Sequence, residues 1–206
     1  MKTFKKSVLI SLVFFIICGI IYPLCLTGIG QLFFPSQANG SMISENGEVV
    51  GSQLIGQLFT SDKYFHGRIS AVNYNVYSEE DAKENNSLYS TVSSGSSNLA
   101  PSNPSLVERV KSDIDALIKK NPDIKSVKEV PTDLLTCSAS GLDPDISAES
   151  AKIQVPRISL ATGIDSQRLY QLIDETIQNR SLGIFGELRV NVLRLNIGIN
   201  KLVGNS

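Results

Sequence analysis

Few residues in this chain of 206 are placed to do bond chemistry. The one histidine, His66, stands beside Tyr64 and Phe65, and nothing at a recognisable spacing supplies the nucleophile it would activate. Neither G-x-S-x-G nor S-x-x-K occurs, and no G-x-x-x-x-G-K-[ST] run is present to cradle phosphate. Asp143 and Asp145, within SGLDPDIS, could offer two carboxylates to a hard cation. A calcium cage takes roughly six to eight oxygens, however, and Asp-Pro-Asp ahead of a helix is ordinary turn and capping chemistry. The run is read as a turn. Cys18 and Cys25 lie in an apolar stretch and Cys137 is alone in the polar part, so neither a disulfide framework nor a four-ligand zinc site is expected. The serines from Ser93 to Ser97 read as a solvated loop, with Gly95 a point where another backbone can come close.

The elements that must carry these residues begin with a membrane span. Lys2, Lys5 and Lys6 are the only charged residues before Glu45; without them 16 basic residues face 20 acidic ones. An acidic remainder without clustered Lys and Arg excludes nucleic acid as a partner. From Ser7 to Ser44 no charge occurs, and Val8–Leu26 (VLISLVFFIICGIIYPLCL) is rich in Val, Leu, Ile and Phe. As a helix it measures about 28 Å at ~1.5 Å per residue, close to the ~30 Å hydrocarbon layer. Pro23 is expected to kink or end the regular helix, with the exit between Leu26 and Phe34. The three lysines hold the N-terminus in the cytoplasm. A cleaved signal peptide would need a shorter apolar run and an A-x-A-like site, whereas large apolar residues interrupt TGIGQLFFPSQANGS. The division expected is residues 1–7 as a cytoplasmic tail, 8–34 as transmembrane helix and exit segment, and 35–206 as an extracytoplasmic domain.

That outer part is long enough for one core. Gly51–Phe59 (GSQLIGQLF) predicts a short amphipathic helix, Lys63–Val72 a partly extended segment, and Ser87–Pro104 a loop. A helix follows, started by Ser105 and Glu108 as a capping box or equally by Asn103 with Pro104, striped by Leu106, Val110, Ile114 and Leu117, and stopped at Asn121-Pro122. A second starts at Ser147 and ends at Gly163, kinked or split by Pro156, and a third runs from Ser166 to Asn179. Arg189–Asn196 (RVNVLRLN) reads as a strand whose alternation slips by one residue, from two buried faces or a bulge near Val192. Helices and strands do not alternate regularly, so the class expected is an α+β extracytoplasmic domain anchored by one N-terminal transmembrane helix.

Several runs, taken in order, resemble the C subunit of the Kdp-type potassium-transporting ATPase. They are Tyr22-Pro23 with Thr27-Gly28, then QLFFPSQANGS (Gln31–Ser41), GSQLIGQLF, YFHGRISA (Tyr64–Ala71), SNLAPSNPSL (Ser97–Leu106), SASGLDPDIS (Ser138–Ser147) and GELRVNVLRLN (Gly186–Asn196). Ser94-Gly95-Ser96-Ser97 departs from the second glycine the family often carries there, and Pro156 stands where a plain helix former is usual.

The resemblance implies a non-catalytic accessory subunit that stabilises an ATP-driven potassium uptake complex and acts as a catalytic chaperone, raising the ATP affinity of the hydrolytic subunit. Its partners would be a potassium-selective channel-like subunit, a P-type ATP-hydrolysing subunit and the lipid bilayer. ATP and potassium are used by such a complex, and no cofactor is assigned to this chain. About seven cytoplasmic residues leave little to touch nucleotide, so any effect on it must pass through the span or the assembly. Gly19 and Gly28 are candidate close-approach points on the span, and Gln37, Asn39, Asp143 and Asp145 candidate partner contacts. The acidic domain would cover the outer mouth of the ion pathway, with weak steering of potassium because fields decay over ~8 Å at physiological salt. A membrane-tethered hydrolase would need the nucleophile that is missing. A sensor would need a partner helix for its signal.

Overall fold

The computed structural model describes residues 2–77, 92–121 and 123–204. It divides into two compact units, Met1–Ser52 and Gln53–Ser206. The first unit begins with one long helix, α1, over Lys2–Phe33, and none of the side chains tested in its most apolar stretch is buried. Pro23 does not end it. Proline lacks the N–H that would bond to the carbonyl of Gly19, and its ring collides with that oxygen in a regular α-helix. The helix widens instead into a π turn over Ile17–Ile21, where the N–H of Tyr22 reaches back to the carbonyl of Ile17. The irregularity expected at the proline therefore falls one turn earlier, and the helix stops at Phe33, inside the expected exit window.

Beyond Phe34 (φ −135°) a single turn, α2 (Pro35–Ala38), folds back along the end of α1. The side-chain amides of Gln31 and Asn39 exchange two hydrogen bonds of 3.3 and 3.1 Å, and Asn39 also donates to the carbonyl of Pro35 at 2.7 Å. Strands β1 (Met42–Glu45) and β2 (Glu48–Ser52) follow as an antiparallel hairpin with a bulge at Ile43/Ser44, and the Ser52 hydroxyl closes it onto the carbonyl of Gly40 at 2.7 Å.

The second unit is α+β. Its helices are α3 (Pro104–Lys120), α4 (Ala148–Lys152), α5 (Val155–Thr162), α6 (Ser166–Thr176) and α7 (Val192–Gly204). Strands β3 (Asp145–Ile146), β4 (Ile177–Gln178) and β5 (Arg189–Asn191) form an antiparallel sheet in the order β3-β5-β4. Phe65, Val155, Ile158, Leu169, Ile173, Val190 and Leu195 are fully buried in one core. At about 1.5–3 kcal/mol for each large apolar side chain removed from water, this core dominates the stability of the unit. A smaller cluster of Ile124, Val130 and Leu134 packs under Leu117 and Ile118 of α3.

Asn103 caps α3 by accepting from the N–H of Ser105, with Pro104 in the first turn, so that start prevails over the Ser105–Glu108 box. No residue of α3 is fully buried; its apolar stripe is half-covered. Residues 92–103 of the expected loop are irregular, whereas residues 87–91 lie outside the described residues, as does Pro122. Pro156 splits the second helix by entering the first turn of α5, where its missing N–H would have had no helical partner, and Gly163 (φ +76°) ends α5 in the left-handed conformation.

Three expectations are corrected. Gly51–Phe59 is no helix: Gly51 and Ser52 close β2, and residues 53–59 run as turn and irregular chain. The third helix ends at Thr176, because Ile177 leaves to pair with Val190. Arg189–Asn196 is a strand for three residues only. Asn191 then caps a helix, its side-chain oxygen accepting from the N–H of Arg194 at 3.1 Å, and Val192, Leu195 and Ile199 are buried at helical spacing. The apparent slip in alternation is the change of period from strand to helix; the short strand has no bulge and buries Val190 and Asn191 on its two faces.

Gly56 shows why GSQLIGQLF stays open. A Cβ there would sit 2.5 Å from the carbonyl oxygen of Asp143 and 2.6 Å from the Tyr74 ring. Gly56→Ala is expected to destabilise the full-length chain by about 1–3 kcal/mol through the forced displacement of backbone. Gly95→Ala, where a Cβ meets nothing within 4 Å, is expected to leave the melting temperature unchanged. Thermal unfolding of both variants in detergent checks the contrast.

Candidate functional site

The SGLDPDIS loop gathers distant segments of the second unit. The carbonyl of Ile69 accepts from the N–H of Ser138, and the Ser70 hydroxyl donates to the carbonyl of Gly141 at 2.6 Å. Gly141 has φ +68°, and a Cβ on it would lie 2.8 Å from the carbonyl oxygen of Gly95. The N–H of Gly95 donates to the carbonyl of Ser140 at 2.7 Å. Backbone does come close at Gly95, as the sequence led one to expect, but the glycine that makes room for it is Gly141. Leu142 accepts from the N–H of Gly56 at 2.8 Å, and Pro144 from that of Val192 at 2.9 Å.

Both expected carboxylates lie here, each held by a guanidinium. Asp143 pairs with Arg68 at 3.0 Å while its other oxygen accepts from the N–H of Asp145 at 3.0 Å, which is the turn chemistry read from Asp-Pro-Asp. Asp145 pairs with Arg189 at 3.0 Å and accepts from Asn191 at 3.3 Å. Burial pushes its pKa up, against the pull of Arg189. An open depression of about 510 Å³ adjoins these pairs, lined also by Asp133 and Glu187. Asp133 accepts from the backbone and hydroxyl of Ser147, and Glu187 pairs with Arg180 at 2.6 Å. Among the described residues no three His, Cys, Asp or Glu side chains are grouped to hold a metal ion. The guanidiniums of Arg68, Arg189 and Arg180 pair with three of the four carboxylates, Asp133 is held by Ser147, and the arrangement fixes a loop.

A second polar set was not singled out in the sequence. The stretch Asp62–Arg68, within and just ahead of YFHGRISA, leaves a turn at Asp62 and Lys63 and runs on as irregular chain, with side-chain groups bonded to its backbone where a neighbouring strand would be. Asn196 brackets Phe65, accepting from its N–H at 2.8 Å and donating to its carbonyl at 3.0 Å. Gln154 does the same for His66, at 2.8 and 3.2 Å. Arg157, only 5% exposed, donates to the carbonyls of Asp62 (2.7 Å) and Tyr64 (3.0 Å), to Gln154 (2.9 Å) and to Asn121 (3.2 Å). The signal for these was the presence of Gln154, Arg157 and Asn196 among apolar neighbours that face the core.

His66 is a packing residue in this set. Its Nε2 lies 3.0 Å from the carbonyl of Ser61, and it borders a cavity of about 210 Å³ with Asp113, Lys120 and Gln154. Burial, helped by Arg157, lowers its pKa from 6.5 to about 4. Of the other candidates, Gly19 falls in the π turn, Gly28 has nothing within 4 Å of where a Cβ would be, Gln37 is exposed on α2 and Asn39 is bonded to Gln31.

Comparison with known proteins places this architecture. The family described as KdpC, the c chain of the K+-transporting ATPase, matches residues 4–201. The potassium-transporting ATPase KdpC subunit of Clostridioides difficile strain 630 is 49% identical over 207 residues, covering 99% of each chain. That of Clostridium kluyveri is 50% identical over 98% of this chain and 95% of its own length, and that of Bacillus anthracis 45% identical over 97% and 98%. The chain belongs to the KdpC family.

The lowered pKa of His66 gives a pH dependence of known sign. Below pH 6.5 the unfolded chain takes up a proton that the folded chain refuses until about pH 4, so stability falls with pH across that window and is unaffected by this group above it. Asp145, raised by burial, acts in the opposite sense. Subtracting the melting curves of His66→Gln from those of the natural chain isolates the histidine; the difference is expected to change with pH only between about pH 4 and 6.5 and to be constant on either side.

Proposed function

We propose that this chain is the accessory, non-catalytic subunit of an ATP-driven potassium uptake complex, crossing the membrane once on α1 with its N-terminus in the cytoplasm and its second unit outside. One observation carries the reading. Across the apolar stretch of a 32-residue helix no residue is buried by the rest of the chain, so lipid or the helices of other subunits must solvate it. Lys2, Lys5 and Lys6 at one end, with no further charge before Glu45, support the orientation.

The partners in this reading are a channel-like potassium-selective subunit and a P-type subunit that hydrolyses ATP. The second unit stands over the outer mouth of the ion pathway and serves as a rigid cover. Its attraction for potassium is slight, because Arg68 and Arg189 already compensate Asp143 and Asp145. A rise in ATP affinity of the hydrolytic subunit, the chaperone role, is transmitted by α1 or by a shift in the equilibrium of the assembly, since the catalytic site and the second unit lie on opposite sides of the bilayer.

Gly28 gives the span a close-approach point that can be tested separately from folding. Nothing lies within 4 Å of its missing Cβ, so Gly28→Leu is expected to leave the helicity and melting of the isolated chain intact. It is expected to lower the amount of this chain recovered with its partner subunits about tenfold, read by pull-down and mass spectrometry in mild detergent. Equal recovery would remove Gly28 from the interface. In intact spheroplasts added protease is expected to digest the C-terminal unit, and in inverted vesicles to spare it; the reverse pattern would overturn the orientation.

A further inference from the structure

We infer that the turn between β4 and β5, Ser181–Leu188, is a docking knob that enters an apolar pocket on another protein subunit of the same ATPase. The inference rests on the accessory-subunit reading and names a contact for it. Leu182 is 89% exposed, Ile184 73%, Phe185 64% and Leu188 49%. Four large apolar side chains on one ten-residue connection form a patch, and a patch at the tip of a folded hairpin marks an interaction surface.

The backbone of the turn strengthens the case. Leu182 has φ +54° and Gly183 φ +75°, and the N–H of Ile184 returns to the carbonyl of Ser181 at 3.2 Å. Positive φ at both central positions favours Asn-Gly, because a Cβ crowds the following carbonyl there. Leucine is a poor choice for such a turn and for a solvent-exposed tip alike. A residue that violates both local preferences without a compensating contact in its own chain points to a contact outside it.

The knob is also prepared to leave water. Ser181 and Phe185 bridge their backbones, with the N–H of Ser181 donating to Phe185 at 2.8 Å and that of Phe185 to Ser181 at 3.0 Å. At its base Arg180 and Glu187 pair at 2.6 Å, so no net charge accompanies the apolar tip. Charge decides between the possible occupants. Interfacial lipid binding recruits a surplus of Lys and Arg toward anionic headgroups. Here both arginines at the base are paired, Arg180 with Glu187 and Arg189 with Asp145, Glu149 borders the adjoining cleft, and the chain outside its three N-terminal lysines is acidic. A protein pocket suits a neutral apolar knob in an acidic surround, and an anionic leaflet does not.

The test uses the full chain co-expressed with the other subunits of its ATPase. A photoreactive benzoylphenylalanine replaces Phe185, and irradiated membranes are resolved by mass spectrometry. An adduct with a fellow ATPase subunit is expected; a lipid adduct, an adduct between two copies of this chain, or none above an unirradiated control would overturn the inference. Leu182→Asn provides a second arm, since asparagine suits the left-handed position. The isolated variant is expected to melt no lower than the natural chain, yet to be recovered with the complex about tenfold less well. Undiminished recovery would also overturn the knob. If the natural chain itself fails to bring down any ATPase subunit, the accessory-subunit reading fails, a result distinct from either arm.

Discussion

The second unit depends on satisfying a strip of irregular backbone that has no strand beside it. Asp62–Arg68 leads from an exposed turn to the fully buried Phe65, where an unpaired N–H or carbonyl costs about 1–3 kcal/mol. Side chains from two helices and a link substitute for the missing strand: Asn196 from α7, Gln154 from the link between α4 and α5, and Arg157 from α5. The bonds tie the strip to separate elements, so packing of the helices and placement of Phe65, Tyr64 and His66 become one cooperative event. Arg157 is the most exposed to failure in this scheme. A buried guanidinium is tolerated only while its donors stay matched, and its nearest carboxylate, that of Asp62, is 3.9 Å away.

From this strip the chain reaches the carboxylate loop. Arg68 at its end holds Asp143, and Tyr74 donates to the carbonyl of Arg68 at 2.6 Å while its ring lies against Gly56 and Gly67. Asn73, Tyr74 and Asn75 all have positive φ, between 47° and 56°. Two asparagines tolerate that conformation well, and Asn75 uses it to bracket Ser93 with bonds of 3.0 Å to its N–H and its carbonyl. The loops are thus held by exchanged amides and paired charges, which fix their shape.

What was legible in the sequence follows physical rules that act over short distances. The caps at Asn103 and Ser147, the split at Pro156 and the stop at Gly163 each depend on one or two neighbouring residues, and each is found, as is one long apolar N-terminal helix. The errors arise where tertiary context overrides pattern. GSQLIGQLF has helical spacing of Leu54, Ile55, Leu58 and Phe59, but Gly56 must meet Asp143 and Tyr74, which lie far along the chain. The boundary inside RVNVLRLN was readable in principle, since Asn191 precedes a run with helical spacing, yet strand-forming residues masked it. The bracketing roles of Gln154 and Asn196 could not be read, because an amide in a helix gives no sign of which distant peptide it will serve.

The π turn at Ile17–Ile21 has an angular consequence for the anchor. A π turn holds one residue more than the α turn it replaces, and each residue advances an α-helix by about 100°. Side chains past Ile21, among them Leu24, Gly28 and Gln31, are therefore swung by roughly that angle relative to where an unbroken α-helix of the same sequence would present them to its surroundings.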